Sequence, residues 1–280
     1  MIGRLYGHPE IVSAMTGHSV ARAKYGRFFR SFFNTAGPVI IRIFGYPLDM
    51  EVQRRVKPIC RMLDLKEAEK VLDVGCGIGY FTFNSAVGGC SPAGCASDSF
   101  CVGADLDVED MNLAGTVKKV KRVKNACFAA ADGLELPFKK DSFDRVLASE
   151  LIEHIRDDAS LLGEFARVLK PGGVLVLTTP YTTHPVEYKK EHYKKIRKEK
   201  IGGGHVRSGY NLASLGEKLG EVGFQIQDHA YSYGAYTRFA RGIIKSFLWL
   251  GAPIAWIISS LEDYTLVKEG KCIIVSARKI

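Results

Sequence analysis

Residues 71–81 read VLDVGCGIGYF, and the fold of the chain turns on this stretch. Residues 71–74 are apolar apart from Asp73, as suits a buried strand. Gly75, Gly77 and Gly79 follow at alternate positions, and the run YFTFNSAV after them has helical character. Strand, glycine turn and helix in that order open a βαβ unit. Glycine reaches backbone conformations closed to other residues and lets a ligand come close. Amides at the start of the following helix favour a carboxylate or phosphate. A dinucleotide turn of the GxGxxG type needs its third glycine at position 80, which is Tyr80. That bulk argues against a pyrophosphate approach and against tight helix packing there. A dinucleotide oxidoreductase is therefore the poorer reading, and a methionine-type ligand the better one.

Outward from this stretch, strand and helix patterns alternate. Upstream, Val52, Val56, Ile59, Met62 and Leu63 recur at helical spacing, which predicts a helix over 49–65 leading into the first strand. Downstream come the strand CVGADL, the helix EDMNLAGTVKKVKRV, the strands ACFAAA and FDRVLASE, and the helix DDASLLGEFARVL. Pro171-Gly172 turns the chain into a fifth apolar run, GVLVLTTP. The last third adds the helix LASLGEKLGEVG and the strands FQIQDHA and KCIIVSAR, which suit a final hairpin. This rhythm predicts an α/β fold with a doubly wound, mostly parallel sheet covered by helices on both faces.

Composition sets wider bounds. The 280 residues are 46% hydrophobic and 25% charged, ordinary for a folded chain with a sizeable core. No apolar run precedes a small-residue cleavage site near the start, so no secretory signal is expected. Seven cysteines without a CxxC pair argue against a disulfide framework and for a reduced, cytoplasmic setting. Cys90, Cys95 and Cys101 crowd a Ser/Gly-rich stretch, but their spacing matches no familiar zinc pattern. The formal charge is +9, and the excess is local. Residues 1–62 hold ten Lys/Arg against three acids, and 189–200 hold seven against two. Such patches suit anionic partners (nucleic acid, acidic lipid or a phosphorylated molecule) or are simply solvated surface.

Two acids extend the site. Asp105, at the end of the second strand, can accept hydrogen bonds from both hydroxyls of a ribose; its bland alternative is to cap the helix starting near Val108. Asp132-Gly133, after the third strand, can place a carboxylate at an adenine amino group, or can merely stabilise a turn.

VLDVGCGIGYF, VGADLD, ADGLELPFKKDSFDRVLASELIEHI and RVLKPGGVLVLTTP, in that order, resemble the motifs of small-molecule class I methyltransferases of the kind found in quinone and lipid biosynthesis. The resemblance covers about residues 50–230. It implies a seven-stranded Rossmann-like sheet with an antiparallel C-terminal strand, and S-adenosylmethionine bound across its carboxyl edge. By the same resemblance Asp73, Gly75, Gly77, Gly79, Asp105, Leu106, Asp132, Gly133 and Glu150 line the cofactor pocket. The stretch 88–100 is longer than is usual in the family.

On the acceptor side, a base is needed only where the acceptor must lose a proton. Glu150, His154, His184, His192 and His205 are candidates, with Glu150, His154 and His205 foremost. Glu150-x-x-Glu153-His154 is similar to a pattern that supplies divalent-metal ligands in quinone-biosynthesis O-methyltransferases and small-RNA 2′-O-methyltransferases. The resemblance makes Glu150, Glu153, His154 and His205 a candidate set for Mg²⁺, Mn²⁺ or Zn²⁺. Many metal-free relatives carry an EH pair at the same place, so the metal is the less favoured reading.

The expected organisation is a basic, aromatic-rich helical extension at 1–48 and a catalytic domain at 49–280. Within that domain a helical acceptor lid is expected at 180–210 and an apolar helical insertion at 236–262. The stretch 242–261 suits a buried or lid helix, an element lying on a membrane surface, or a span, although Lys245 and Pro253 argue against the last. The leading reading is methylation of a small or lipid-like molecule by a cytoplasmic protein, with peripheral membrane contact through 242–261 as an alternative to a buried or lid helix there. Methylation of RNA comes next, metal-assisted at the 2′-oxygen in one version, although no RNA-binding module is apparent. A non-catalytic S-adenosylmethionine-binding scaffold is the remaining alternative.

Overall fold

A computed structural model of the chain describes residues 50–90, 99–185, 204–232 and 270–280, with residues 234–237, 239–240, 254 and 257–258 between them. The extension at 1–48, the middle of the expected lid (186–203), Cys95, His192 and most of 236–262 lie outside the described residues.

The described chain runs α1 (Met50–Leu63), β1 (Lys70–Val74), α2 (Tyr80–Ala86), β2 (Phe100–Asp105), α3 (Val108–Lys121), β3 (Ala126–Ala130) and β4 (Phe143–Ser149). A 3₁₀ turn (Ile152–His154), α4 (Asp158–Val168), β5 (Leu169–Pro180), α5 (Leu212–Glu221), β6 (Phe224–Ser232) and β7 (Cys272–Lys279) complete it. The seven strands form one sheet in the order β3-β2-β1-β4-β5-β7-β6. Strands β1 to β5 pair in parallel, and β7 enters antiparallel between β5 and β6. The two C-terminal strands pair with each other as expected, but residues 233–271 separate them, so they make no tight hairpin.

Period-two alternation along the strands builds two cores. Leu72, Val74, Val146, Ala148, Leu175 and Leu177 meet Leu161 and Phe165 of α4 and Leu215 and Leu219 of α5 on one face. Val71, Leu147, Val174 and Val176 meet Ile59 and Leu63 of α1, Phe81 and Phe83 of α2 and Val117 of α3 on the other. Helix on sheet on helix is the doubly wound arrangement.

Two local features depart from the sequence expectations. Pro171-Gly172 does not precede a separate strand. It sits inside β5, where pairing with β4 jumps from Phe143↔Leu169 to Arg145↔Val174. The extra residues make a bulge that absorbs Gly172 at φ 74°. The expectation of unbridged cysteines also fails at one pair: Cys60 of α1 and Cys90, just after α2, form a disulfide, with the Asn84 side-chain amide donating to both sulfurs. Cys90 is therefore engaged and unavailable to a three-cysteine metal site. Cys76, Cys101, Cys127 and Cys272 are free thiols.

Candidate cofactor site and its acceptor side

The site begins at the turn between β1 and α2. Gly75, Gly77 and Gly79 all take left-handed backbone, at φ 70°, 50° and 83°. At Gly79 space is decisive as well, because a Cβ there would lie 2.6 Å from the Phe128 ring. The turn is tied to the end of β2: the amides of Gly75 and Cys76 donate to the Ala104 carbonyl at 2.8 and 3.2 Å. The Gly77 amide donates to Asp105 Oδ2 at 2.8 Å, and the Asp107 amide to Oδ1 at 3.0 Å. The helix cap foreseen as an alternative role for Asp105 belongs to Asp107, which accepts from the amides of Glu109 and Asp110. Each Asp105 oxygen keeps a lone pair beyond its one backbone donor, so the carboxylate can still receive ligand hydroxyls.

Asp73 lies beneath this turn rather than on an open wall of it. It is 2% exposed, and the Thr82 hydroxyl donates to its Oδ2 at 2.7 Å. Burial pushes its carboxyl up to about 7, against the pull of the Thr82 bonds. Asp132 is exposed and accepts from the Leu134 amide at 2.9 Å, so it does shape its own turn. At Gly133 a Cβ would stand 3.0 Å from Leu161, which brings this turn down onto α4. Leu106 and Leu134 are exposed apolar side chains at the carboxyl ends of the neighbouring strands β2 and β3. A flat ligand ring laid there would cover apolar surface.

Beyond β4, Glu150 adopts φ 57°, unusual for a residue with a side chain. Its amide donates to the Thr178 carbonyl at 2.9 Å. Its Oε1 pairs with Arg55 Nη1 at 3.0 Å and accepts from the Thr178 hydroxyl at 3.1 Å and the Cys272 thiol at 3.3 Å. Burial pushes the Cys272 thiol far up, which keeps it a donor. Next in the chain, Leu151 packs over Gly75, so this group adjoins the glycine turn.

One turn further on, Glu153, His154 and His205 come together. Their ligand atoms all lie within 4.8 Å of one another, and the two imidazole rings stand edge to face at 4.7 Å. Glu153 is fully buried and accepts from the Thr179 hydroxyl at 3.1 Å. Burial first, and the charge of Glu150 second, push its carboxyl up to about 8. Of the four residues proposed together as metal ligands, Glu150 stands apart, engaged by Arg55. His184 is exposed, bonded to Thr183, and not a member of this cluster.

His205 reaches His154 because the returning chain is anchored. The Val206 amide donates to the Glu153 carbonyl at 2.8 Å. Buried Arg207 pairs with Asp158 and donates to the carbonyls of Ile155 and Arg156. The Tyr210 hydroxyl and the Lys218 ammonium complete the bonding of Asp158. This network escaped the sequence reading, as did Arg55. Arg55 did carry a signal: it stands three residues after Val52 and four before Ile59, so a charge interrupts the apolar stripe of α1.

Of the apolar insertion, Tyr236, Phe239, Ile254 and Ile257 are exposed, while Thr237 and Ala240 are buried. Exposure of Ile254 and Ile257, three apart in helical segments, runs against a fully buried helix. Among the described residues no helix is long and apolar enough to cross a membrane.

A family model described as a methyltransferase domain matches residues 65–230, more than half of the chain. The methyltransferase GfsG of Streptomyces halstedii is 33% identical over 135 residues, 47% of this chain and 45% of that protein. The demethylmenaquinone methyltransferase of Corynebacterium glutamicum is 38% identical over 115 residues, 41% of this chain and 43% of its own. The matched part thus spans less than half the length of these relatives. Among solved structures, the geranyl diphosphate C-methyltransferase of Streptomyces coelicolor, in complex with Mg²⁺, geranyl-S-thiolodiphosphate and S-adenosyl-L-homocysteine, superposes with a TM-score of 0.58. It is 15% identical, covering 81% of this chain and 76% of that one, a likeness of fold.

Proposed function

Since the chain belongs to the methyltransferase-domain family, we propose that it transfers the methyl group of S-adenosylmethionine to a small or lipid-like acceptor. The observation that carries this reading is the glycine turn joined to Asp105: three left-handed glycines held open beside a carboxylate that retains acceptor capacity. When bound, S-adenosylmethionine supplies a methyl group activated by its sulfonium. The donor set suits it. With the cofactor bound, Asp105 would accept from the ribose hydroxyls, Asp132 would take the adenine amino group, Leu106 and Leu134 would flank the adenine ring, and Gly75, Gly77 and Gly79 would let the methionine portion approach. Asp73 supports the turn from below through Thr82.

Transfer from a sulfonium is an in-line displacement, so positioning and exclusion of water supply much of the rate. We assign receipt of an acceptor proton to His154 and His205, which lie together with buried Glu153. The segments 1–48, 180–210 and 236–262 are assigned to covering the acceptor. The exposed Phe239, Ile254 and Ile257 favour contact of the last with a membrane surface on which a lipid-like acceptor is met. The C. glutamicum relative is named for demethylmenaquinone, which supports screening isoprenoid quinols first.

A second reading rests on the cluster itself. Glu153, His154 and His205 offer one oxygen and two imidazoles within 4.8 Å, a donor set that fits Zn²⁺ or Mn²⁺. A metal held there would lower the pKa of an acceptor hydroxyl. RNA as acceptor is the less favoured alternative, resting on the basic stretches and on this candidate metal set.

The test is calorimetric titration with S-adenosylmethionine, using NADPH as control and Asp105→Ala as comparator. Micromolar binding lost in the variant supports the reading and opens an acceptor screen with and without Mn²⁺ or Zn²⁺. Absence of binding to the folded wild type overturns it. Binding without turnover on any quinol, lipid or RNA leaves the scaffold alternative. Metal titration against His154→Ala and His205→Ala decides the second reading without reference to turnover.

A further inference from the structure

Four elements meet at one oxygen atom. Arg55 of α1, Thr178 of β5 and Cys272 of β7 all address Oε1 of Glu150, the residue that follows β4. Arg55 is 8% exposed and its guanidinium is permanently charged, whereas the Glu150 side chain keeps 28% of its surface open. On the cofactor reading, a ligand at the glycine turn would meet the carboxylate, while the cation paired with it stays buried. Leu151, packed over Gly75, places this pair next to the turn.

S-adenosylmethionine and its product S-adenosylhomocysteine differ by one methyl and by one positive charge at sulfur. A carboxylate without its counter-ion at this place would favour the cation. A neutralised one offers hydrogen-bond acceptance with little preference between the two. We infer that Arg55 is a positioning residue of the cofactor site: it holds Glu150 by Oε1 and cancels its charge, so that the site does not retain the sulfonium form over the product. The inference rests on the S-adenosylmethionine reading above. It also gives α1 a functional role, because seating this helix on the sheet brings the balancing charge into place.

The test titrates the full chain with S-adenosylmethionine and with S-adenosylhomocysteine and reads the ratio of the two dissociation constants. A unit charge about 10 Å away, at an effective dielectric of about 20, changes such a ratio on the order of tenfold. Arg55→Met is expected to shift it toward S-adenosylmethionine by roughly threefold or more. Arg55→Lys, which keeps the charge, is expected to restore it. Glu150→Gln, which removes the carboxylate charge and keeps Arg55, is expected to move it the other way and stands as the independent arm if Arg55→Met does not fold. If Arg55 serves only to pack α1, both ligands weaken together and the ratio stays constant, which overturns the inference. A constant ratio in Glu150→Gln overturns it as well. Failure of the wild type to bind either ligand is a different result and removes the cofactor reading itself.

Discussion

Among single residues, Gly79 and Asp73 show how little freedom the cofactor turn has. Gly79 combines φ 83° with a virtual Cβ 2.6 Å from Phe128, so an alanine meets backbone strain and an aromatic ring together. Gly79→Ala is expected to destabilise the protein by about 2 kcal/mol or more and to abolish S-adenosylmethionine binding, read by urea denaturation and by titration. Asp73 has its folded-state carboxyl raised from 3.8 to about 7 by burial. Between those values the unfolded chain has lost this proton and the folded one keeps it. The unfolded state then binds fewer protons, so this group removes stability as pH rises from about 4 to about 7, and no more beyond. Asp73→Asn, which preserves the acceptor for Thr82, is expected to flatten that part of the profile. Melting temperatures of both proteins from pH 4 to 8 check it, and parallel profiles would refute it.

At the level of elements, helix α3 carries the connection between the ribose-side acid and the rest of the fold. Asp107 caps it by accepting from Glu109 and Asp110, and its own amide donates to Asp105. Asp107→Ala is expected to cost about 1 kcal/mol, in denaturant titration, through the lost cap. The Asp107 amide survives that change, so affinity for S-adenosylmethionine should fall far less than in Asp105→Ala. An equal loss in the two variants would show that the cap itself orders the site. The strands and helices were legible because their periods are strong: along β1 and β5 alternate residues serve opposite cores, and α5 buries Leu215 and Leu219 four apart. The bulge inside β5 was not legible as such. Pro171-Gly172 signals a turn, and only pairing with β4 before it, at Leu169, and after it, from Val174, keeps the strand continuous.

For the molecule as a whole, the Cys60–Cys90 bridge joins α1 to the end of α2 across a separation of 30 residues that includes β1 and the glycine turn. In the chain-entropy picture, closing a loop of that length contributes about 3–4 kcal/mol. Reduction with dithiothreitol is expected to lower stability by up to that amount, and Cys60→Ser to show no further effect of reductant. Peptide mapping without reductant should recover the two cysteines on linked fragments, and their recovery as separate free thiols would refute the bridge. Because α1 carries Arg55, the bridge also helps hold the charge balance at Glu150.

The order of strands and helices, the glycine turn and the acids at the strand ends could all be read from the chain alone. These are local facts: strand and helix periods, and the backbone freedom of glycine, are properties of short stretches of chain. E-x-x-E-H marked the acceptor side as well, but its four residues do not stay together. The tertiary structure decided that Glu153, His154 and His205 converge while Glu150 turns to Arg55, because the partners come from chain segments about 50 to 100 residues away. It likewise decided that Asp73 is buried and Asp105 half-buried, and that Cys60 meets Cys90. Charges and thiols carry no periodicity that names their partners; the packing of α1 and of the Arg207-anchored segment onto the sheet chooses them.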